Sequence, residues 1–253
     1  MKFKTSYIIC STPRSGSTLL CDLLTATNAA GRPQSYFMKQ FYAEWARYLN
    51  VTMNDWAAQQ SFNQSYLKAV LKEGAGETRV FGLRLQRESL EDLSSRLKHF
   101  FPDSTSDKDR FKVAFGTKYY IYLSRRDKVA QAVSLLRAEQ SGLWHINTDR
   151  TERERLKKGY APMYDDKAIT EMGATLEEQD MSWQRWFYQQ QIQPIRVVYE
   201  DLSTNFKTVL MSILSKMGID SSFAESAESK TAKMSDSESE GWVKRFRDSG
   251  VVD

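Results

Sequence analysis

One stretch near the start of the chain, residues 7–20 (YIICSTPRSGSTLL), constrains the fold more than any other. Tyr7 to Cys10 is apolar and partly β-branched, which suits a strand covered on both faces. Pro13 and Gly16 punctuate a tight loop. Leu19, Leu20, Leu23 and Leu24 then recur at helical spacing. A strand, loop and helix in this order aim unpaired backbone N–H groups and the positive helix end at one point, which makes an anion site. Arg14, Ser15, Ser17 and Thr18 add a cation and three hydroxyls, the groups that a phosphate or sulfate needs.

The chain behind this stretch alternates strand and helix patterns. Residues 29–37 (AAGRPQSYF) form a turn expected to return beside the anion loop. Gln40 to Leu49 and Met53 to Lys72 read as helices. The aromatics Phe41, Tyr42, Trp45 and Tyr48 suit either a core or the wall of a sugar pocket. Arg79 to Leu85 is a strand in which Gly82 signals a close backbone approach. Ser89 to Phe100 is a helix with Ser89 as N-cap, and Pro102 to Lys112 reads as a surface loop. Tyr119 to Ser124 (YYIYLS) is the clearest strand, and it runs into Arg125-Arg126-Asp127 and a helix bearing Ser134. In a parallel sheet this strand end opens into the same crevice as the first loop, so it is a second anion site; the competing reading is a solvated basic turn.

Arg150 to Lys158 (RTERERLKK) is a charge run expected as an exposed helix face or a lid. Asp166 to Gln191 is a long helix, Ile195 to Tyr199 a fourth strand, and Phe206 to Met217 a helix ending at Gly218. Ser221 to Glu240 reads as a loop, followed by a short amphipathic helix from Trp242 to Phe246. The expected fold is α/β, a P-loop NTPase-like, mostly parallel sheet flanked by helices, in a single domain over residues 1–253.

Composition narrows the partners. A net charge of +4 with both signs abundant and no long basic run suits an anionic small molecule and argues against nucleic acid. Cys10 and Cys21 are expected as buried thiols in a reducing compartment. The apolar run behind the N-terminal lysines is too short for a signal peptide, and no stretch is long enough to span a membrane, so a cytoplasmic protein is expected.

Three chemistries compete for the loop. A nucleoside-triphosphatase loop reads G-x-x-x-x-G-K-[ST], whereas Ser11 and Ser17 stand at its first glycine and its lysine. A cysteine-phosphatase loop carries arginine six residues after its cysteine, and counting from Cys10 reaches Gly16. The pattern that fits is [ST]-x-[PQ]-[RK]-[ST]-G-[ST]-[ST]. With it, AAGRPQSYF, VFGLRL, YYIYLSRRDKVAQAVS, WQRWF before a strand ending in VVYEDL, and GWVKRF follow in order.

On these motifs the chain resembles the sulfotransferases that use 3′-phosphoadenosine 5′-phosphosulfate (PAPS), and in particular the bacterial branch typified by trehalose 2-sulfotransferase. The resemblance implies that Arg14, Ser15, Gly16, Ser17 and Thr18 hold the 5′-phosphosulfate. Arg125, with Arg126 as its near neighbour, and Ser134 hold the 3′-phosphate, and Tyr199 lies near the adenine. The segment around Lys230, Lys233 and Trp242 closes over the nucleotide. The implied acceptor is a small molecule or glycan, no metal is required, and a homodimer is compatible with the class.

Arg14 and Ser35 are the candidate catalytic residues. Arg14 cannot lose its proton, so its role is charge stabilisation. Ser35 stands where the branch carries a glutamate base, and Arg84 where it usually carries lysine. A serine hydroxyl lines the acceptor pocket but takes no proton unaided at neutral pH. His145, Glu44 and Glu88 remain as alternatives for the base, and a PAPS- or PAP-binding relative that lost transfer remains as the alternative function.

Overall fold

The computed structural model describes residues 3–52, 64–228 and 236–250. Its centre is a four-stranded parallel sheet of β1 (Thr5–Ser11), β2 (Val80–Gln86), β3 (Tyr119–Ser124) and, as introduced below, the strand Ile195–Val198, in the order β2, β1, β3, Ile195–Val198. The chain lays β2 on one side of β1 and then crosses to lay β3 on the other. A crevice therefore opens beyond the carboxyl ends of β1 and β3, where such sheets bind ligands.

Every residue of β1 is buried, and its side chains alternate between two cores. Ile8 and Cys10 join Phe81, Leu83, Leu85 and Tyr122 on one face; Tyr7 and Ile9 join Ile121, Leu123 and Val197 on the other. The second face is covered by α1 (Ser17–Ala26), through Leu20, Leu23 and Leu24. Before β2 come α2 (Tyr42–Tyr48) and α3 (Gln64–Ala75). The expected helix from Met53 lies outside the described residues as far as residue 63; its remainder is helical and runs beyond Lys72 to Ala75. Gly82 accommodates a close approach, as expected: a methyl there would lie 2.6 Å from the Tyr7 hydroxyl.

α4 (Leu90–Phe100) and α5 (Asp107–Phe115) cover the first face. Ser89 precedes α4 without a side-chain capping bond, because a 3-10 turn over Arg87–Ser89 already leads into the helix. The expected surface loop from Pro102 to Lys112 is corrected. Ser106 accepts the Asp109 N–H and starts α5, which buries Phe111, Ala114 and Phe115 at helical spacing. Its charged first turn hid the short apolar face behind it.

β3 runs into α6 (Lys128–Ser141), and β4 (Leu143–Ile146) pairs antiparallel with β5 (Glu152–Arg155). The charge run is thus a hairpin strand and not a helix face, because every other position can face solvent without a turn of helix to cover. α7 (Asp166–Gln189) carries Trp183, Trp186 and Phe187 into the first core, and the Trp183 indole donates to the Ser11 carbonyl at 3.0 Å. The fourth strand is β6 (Ile195–Val198), followed directly by α8 (Tyr199–Thr204) and α9 (Phe206–Lys216). α10 (Ser237–Asp248) begins earlier than the expected Trp242, capped by Asp236, and packs Trp242 and Phe246 against α6 and α7. Both cysteines are free and buried. Among the described residues, no helix is long and apolar enough to cross a membrane.

Candidate active site

The loop between β1 and α1 is braced by four side-chain hydrogen bonds before any ligand arrives. Ser15 is buried, and its hydroxyl turns back to donate to the Thr12 carbonyl at 2.8 Å. Gln131 of α6 donates to Thr12 Oγ1 at 3.0 Å and to the Pro13 carbonyl at 2.6 Å. Gln86, at the end of β2, donates to the Ser17 hydroxyl at 3.3 Å. Arg14 and Gly16 both take the left-handed conformation, with φ of 59° and 87°. The Ser15 N–H turns back to the Thr12 carbonyl at 3.4 Å, and the first turn of α1 leaves its own N–H groups without partners inside the helix. Gly16 is needed for a further reason, since a methyl there would lie 2.4 Å from the Tyr199 ring.

Two arginines meet at this loop. Arg14 donates from Nε to Ser134 Oγ at 3.0 Å and from Nη1 to the Trp144 carbonyl at 2.5 Å. Burial, then the nearby Arg125, lowers its guanidinium pKa to about 10, so it remains charged at neutral pH. Arg125 donates to the Arg14 carbonyl at 3.2 Å and lies 4.7 Å over the Tyr199 ring. Its Nε is buried without a hydrogen-bond partner. An unpaired buried donor on a charged group is costly, and the Arg125 side chain lines the crevice.

The candidate residues thus divide. The structure brings together Arg14, Gly16, Ser17, Thr18, Arg125, Ser134 and Tyr199 at the crevice. Ser15 lies behind the loop. Arg126 is exposed outside the crevice, paired with Asp201 at 2.5 Å and Glu200 at 3.7 Å. Lys230 and Lys233 lie outside the described residues, and Trp242 packs inward between Arg137 and Tyr164. Val243, Lys244 and Arg247 of the same helix line the rim.

The other side of the crevice, which encloses about 2260 Å³ in all, begins at the turn of residues 29–37. The Arg84 N–H bonds the Gln34 carbonyl at 3.1 Å, which holds the turn beside β2. Ser35 is buried, and its Oγ accepts from Arg84 Nε at 2.6 Å. Arg84 Nη1 donates onward to Thr18 Oγ1 at 2.7 Å, and Thr18 Oγ1 lies 3.0 Å from His145 Nε2. The aromatic stretch serves both readings: Tyr42 is buried in the core, while Phe41, Trp45 and Tyr48 line the crevice.

The hairpin β4–β5 closes this side. Arg153 pairs with Asp22 of α1, which pins the hairpin over the loop. His145 faces inward, and Glu154 lies 3.5 Å from its Nε2. Burial, then Arg14, Arg84 and Arg153, lowers the imidazole pKa to about 2, so it is neutral. The braces Gln86 and Gln131 and the residue Glu154 were not singled out from sequence. A polar residue on the buried face of a helix, as Gln131 is, was the available signal.

An anion loop and a second arginine-bearing strand end, facing each other at the switch point of a parallel sheet, define a P-loop-like group-transfer enzyme. The chain belongs to the Stf0 sulphotransferase family, whose family model matches residues 6–249. It is similar to trehalose 2-sulfotransferase of Mycobacterium tuberculosis (strain ATCC 35801 / TMC 107 / Erdman), at 27% identity over 259 residues, covering 95% of this chain and 94% of the relative. It is also similar to trehalose 2-sulfotransferase of Mycolicibacterium smegmatis (strain ATCC 700084 / mc(2)155), at 28% identity over 264 residues, covering 96% and 94%. The protein is therefore a sulfotransferase.

Proposed function

We propose that this enzyme draws its sulfuryl group from PAPS and delivers it to a carbohydrate hydroxyl, as one catalytic domain in the bacterial cytoplasm. The observation that carries the donor is the buried, unpartnered Nε of Arg125 beside the charged Arg14. Two cations held this close repel each other, and a nucleotide that is anionic at both its 5′ and 3′ ends offsets both. Trehalose is the first acceptor to test, since the two relatives are named for it. The reducing compartment is supported by the two buried free thiols.

PAPS, when bound, supplies a sulfuryl group activated on its 5′-phosphate. The N–H groups of the loop, with Thr18, hold that end, and Arg125 and Ser134 hold the 3′-phosphate. Tyr199, stacked under Arg125, flanks the base. Arg14 stabilises the charge that builds on the leaving oxygen and the equatorial oxygens, where a fixed cation has most effect. Trp45 and the β4–β5 hairpin wall the crevice and limit water.

Calorimetry with PAP, and with ATP in the presence and absence of magnesium, tests the donor. PAP should bind without the metal and in preference to ATP; preference for ATP with magnesium would return the chain to the kinases and triphosphatases. Mass spectrometry of a carbohydrate panel incubated with PAPS tests the acceptor. Sulfation confined to non-carbohydrate hydroxyls would overturn that half of the proposal.

A further inference from the structure

We propose that His145 is the general base of this sulfotransferase, taking the proton of the acceptor hydroxyl at Nε2, with Glu154 receiving the imidazolium that results. The inference rests on the donor reading above. It supplies the base that Ser35 is unsuited to be, because the Ser35 hydroxyl faces a guanidinium, which can only donate.

Three geometric facts place His145 in this role. Its neighbour Trp144 accepts Arg14 Nη1 through the backbone carbonyl, so the hairpin is anchored to the cation that meets the transferring group. Its Nε2 lies 3.0 Å from Thr18 Oγ1, on the anion loop itself. The Thr18 oxygen accepts from Arg84 at 2.7 Å, which leaves its own hydrogen for the imidazole. Nε2 then carries the lone pair, and Nδ1 carries the hydrogen of the neutral ring. With the donor bound, the Thr18 hydroxyl turns its hydrogen to the phosphosulfate that it holds, and a hydroxyl entering beside Ser35 and Thr18 meets the freed lone pair.

Glu154 completes the arrangement. Its carboxylate, 3.5 Å from Nε2, has no hydrogen to share with the neutral ring and becomes an ion-pair partner once Nε2 is protonated. The charged groups around the imidazole are Arg14 on the loop, Arg84 on β2, and Arg153 and Glu154 on β5, with Asp22 of α1 paired to Arg153. Burial, and with it the three arginines, holds the ring neutral in the free enzyme. A bound anionic donor offsets Arg14 and Arg84 and moves the ring back toward its ordinary basicity. Base strength therefore rises when the donor is in place.

In the step, the acceptor O–H bond breaks and its proton passes to Nε2. The electron pair left on that oxygen forms the new O–S bond. The S–O bond to the 5′-phosphate breaks, and its electron pair leaves on PAP. The imidazolium then returns the proton to solvent.

The chain has two histidines, His99 and His145, so a His99→Gln variant leaves one imidazole to follow by proton NMR. Free of ligand, that imidazole should stay neutral across the folded range. With PAP bound its pKa should rise into the measurable range, toward the ordinary histidine value near 6.5, because the anion offsets the arginines while burial remains. An imidazole that stays neutral down to the acid limit with PAP bound overturns the proposal. Single-turnover transfer from PAPS to trehalose supplies the second arm. His145→Gln should slow it by ~10²-fold or more and remove the acid limb of the pH profile, with PAP affinity by calorimetry unchanged. A loss smaller than about threefold with the same acid limb overturns the proposal. If trehalose is not sulfated, the acceptor reading fails and the NMR titration alone decides His145. If PAP does not bind, the donor reading is what has failed.

Discussion

The two sides of the crevice are built differently. The side proposed for the donor is mostly one contiguous stretch, residues 11–18, with Arg14 and Gly16 in left-handed positions and braces from Gln86 and Gln131. The acceptor side is assembled from side chains on separate segments: Ser35 in a turn, Arg84 in β2, Trp45 in α2 and His145 in a hairpin. A backbone site depends on fold and glycine placement, so it tolerates changes of side chain. A side-chain site changes chemistry with each substitution. The departures from the family pattern, Ser35 and Arg84, both fall on the acceptor side, and the structure joins them in one hydrogen bond. The Arg84 guanidinium thus uses the Ser35 hydroxyl as its acceptor.

The largest expected effect belongs to Arg14, which reaches both sides through Ser134 and Trp144. Arg14→Ala should lower single-turnover transfer by ~10²–10³-fold, the scale for removing one preorganised charge-stabilising donor. PAP affinity should fall much less, because the charge it meets grows during transfer. An unchanged rate at saturating PAPS would make Arg14 a binding residue or a structural one. Arg125→Ala comes next and tests the donor side by itself. Loss of one charge-assisted contact, about 1.5–3 kcal/mol, should weaken PAP roughly 10- to 150-fold. Adenosine 5′-phosphosulfate, which lacks the 3′-phosphate, should bind as before. Equal losses for the two ligands would remove Arg125 from the 3′-phosphate.

The same contrast explains what was legible beforehand. The donor loop was readable because its strand, loop and helix lie in one stretch, and β3 with Arg125 was readable for the same reason. The sheet followed from alternating patterns, since β1 is buried on both faces and reads as an apolar run. α5 was missed because its first turn is charged, and β5 because a strand of Glu-Arg-Glu-Arg shows no apolar alternation. His145 had weight only as one histidine after a helix. Its inward aim depends on the pairing of β4 with β5 and on Arg153 reaching Asp22, contacts that no local pattern reports.

Ser35→Ala tests the acceptor side with a smaller effect. The substitution removes the acceptor of Arg84 Nε but leaves the bond from Arg84 to Thr18. Arg84 should loosen, the KM for acceptor should rise, and the transfer rate should stay within about tenfold of the native chain. A rate loss on the ~10²–10⁴-fold scale of general acid–base catalysis would instead make Ser35 part of the proton path, and the division between the two sides would weaken.

The smallest effect should come from Arg126, one residue along the chain from Arg125. The two share a strand end and differ in where they point. Arg125 Nε is buried without a partner, whereas the Arg126 side chain is 63% exposed and paired with Asp201 and Glu200. Exposed ion pairs contribute little to stability, and a side chain already facing solvent outside the crevice has no contact with the nucleotide to lose. Arg126→Ala should therefore leave PAP affinity within about twofold by calorimetry, alongside the larger loss at Arg125. Glu200 also accepts the backbone N–H groups of Arg126 and Asp127, at 3.2 and 3.1 Å, so the turn keeps its shape without the arginine side chain. If Arg126→Ala weakens PAP as much as Arg125→Ala does, the turn after β3 must rearrange on binding. The donor side would then be assembled by its ligand, and the contrast with the acceptor side would no longer be one of a fixed backbone against movable side chains.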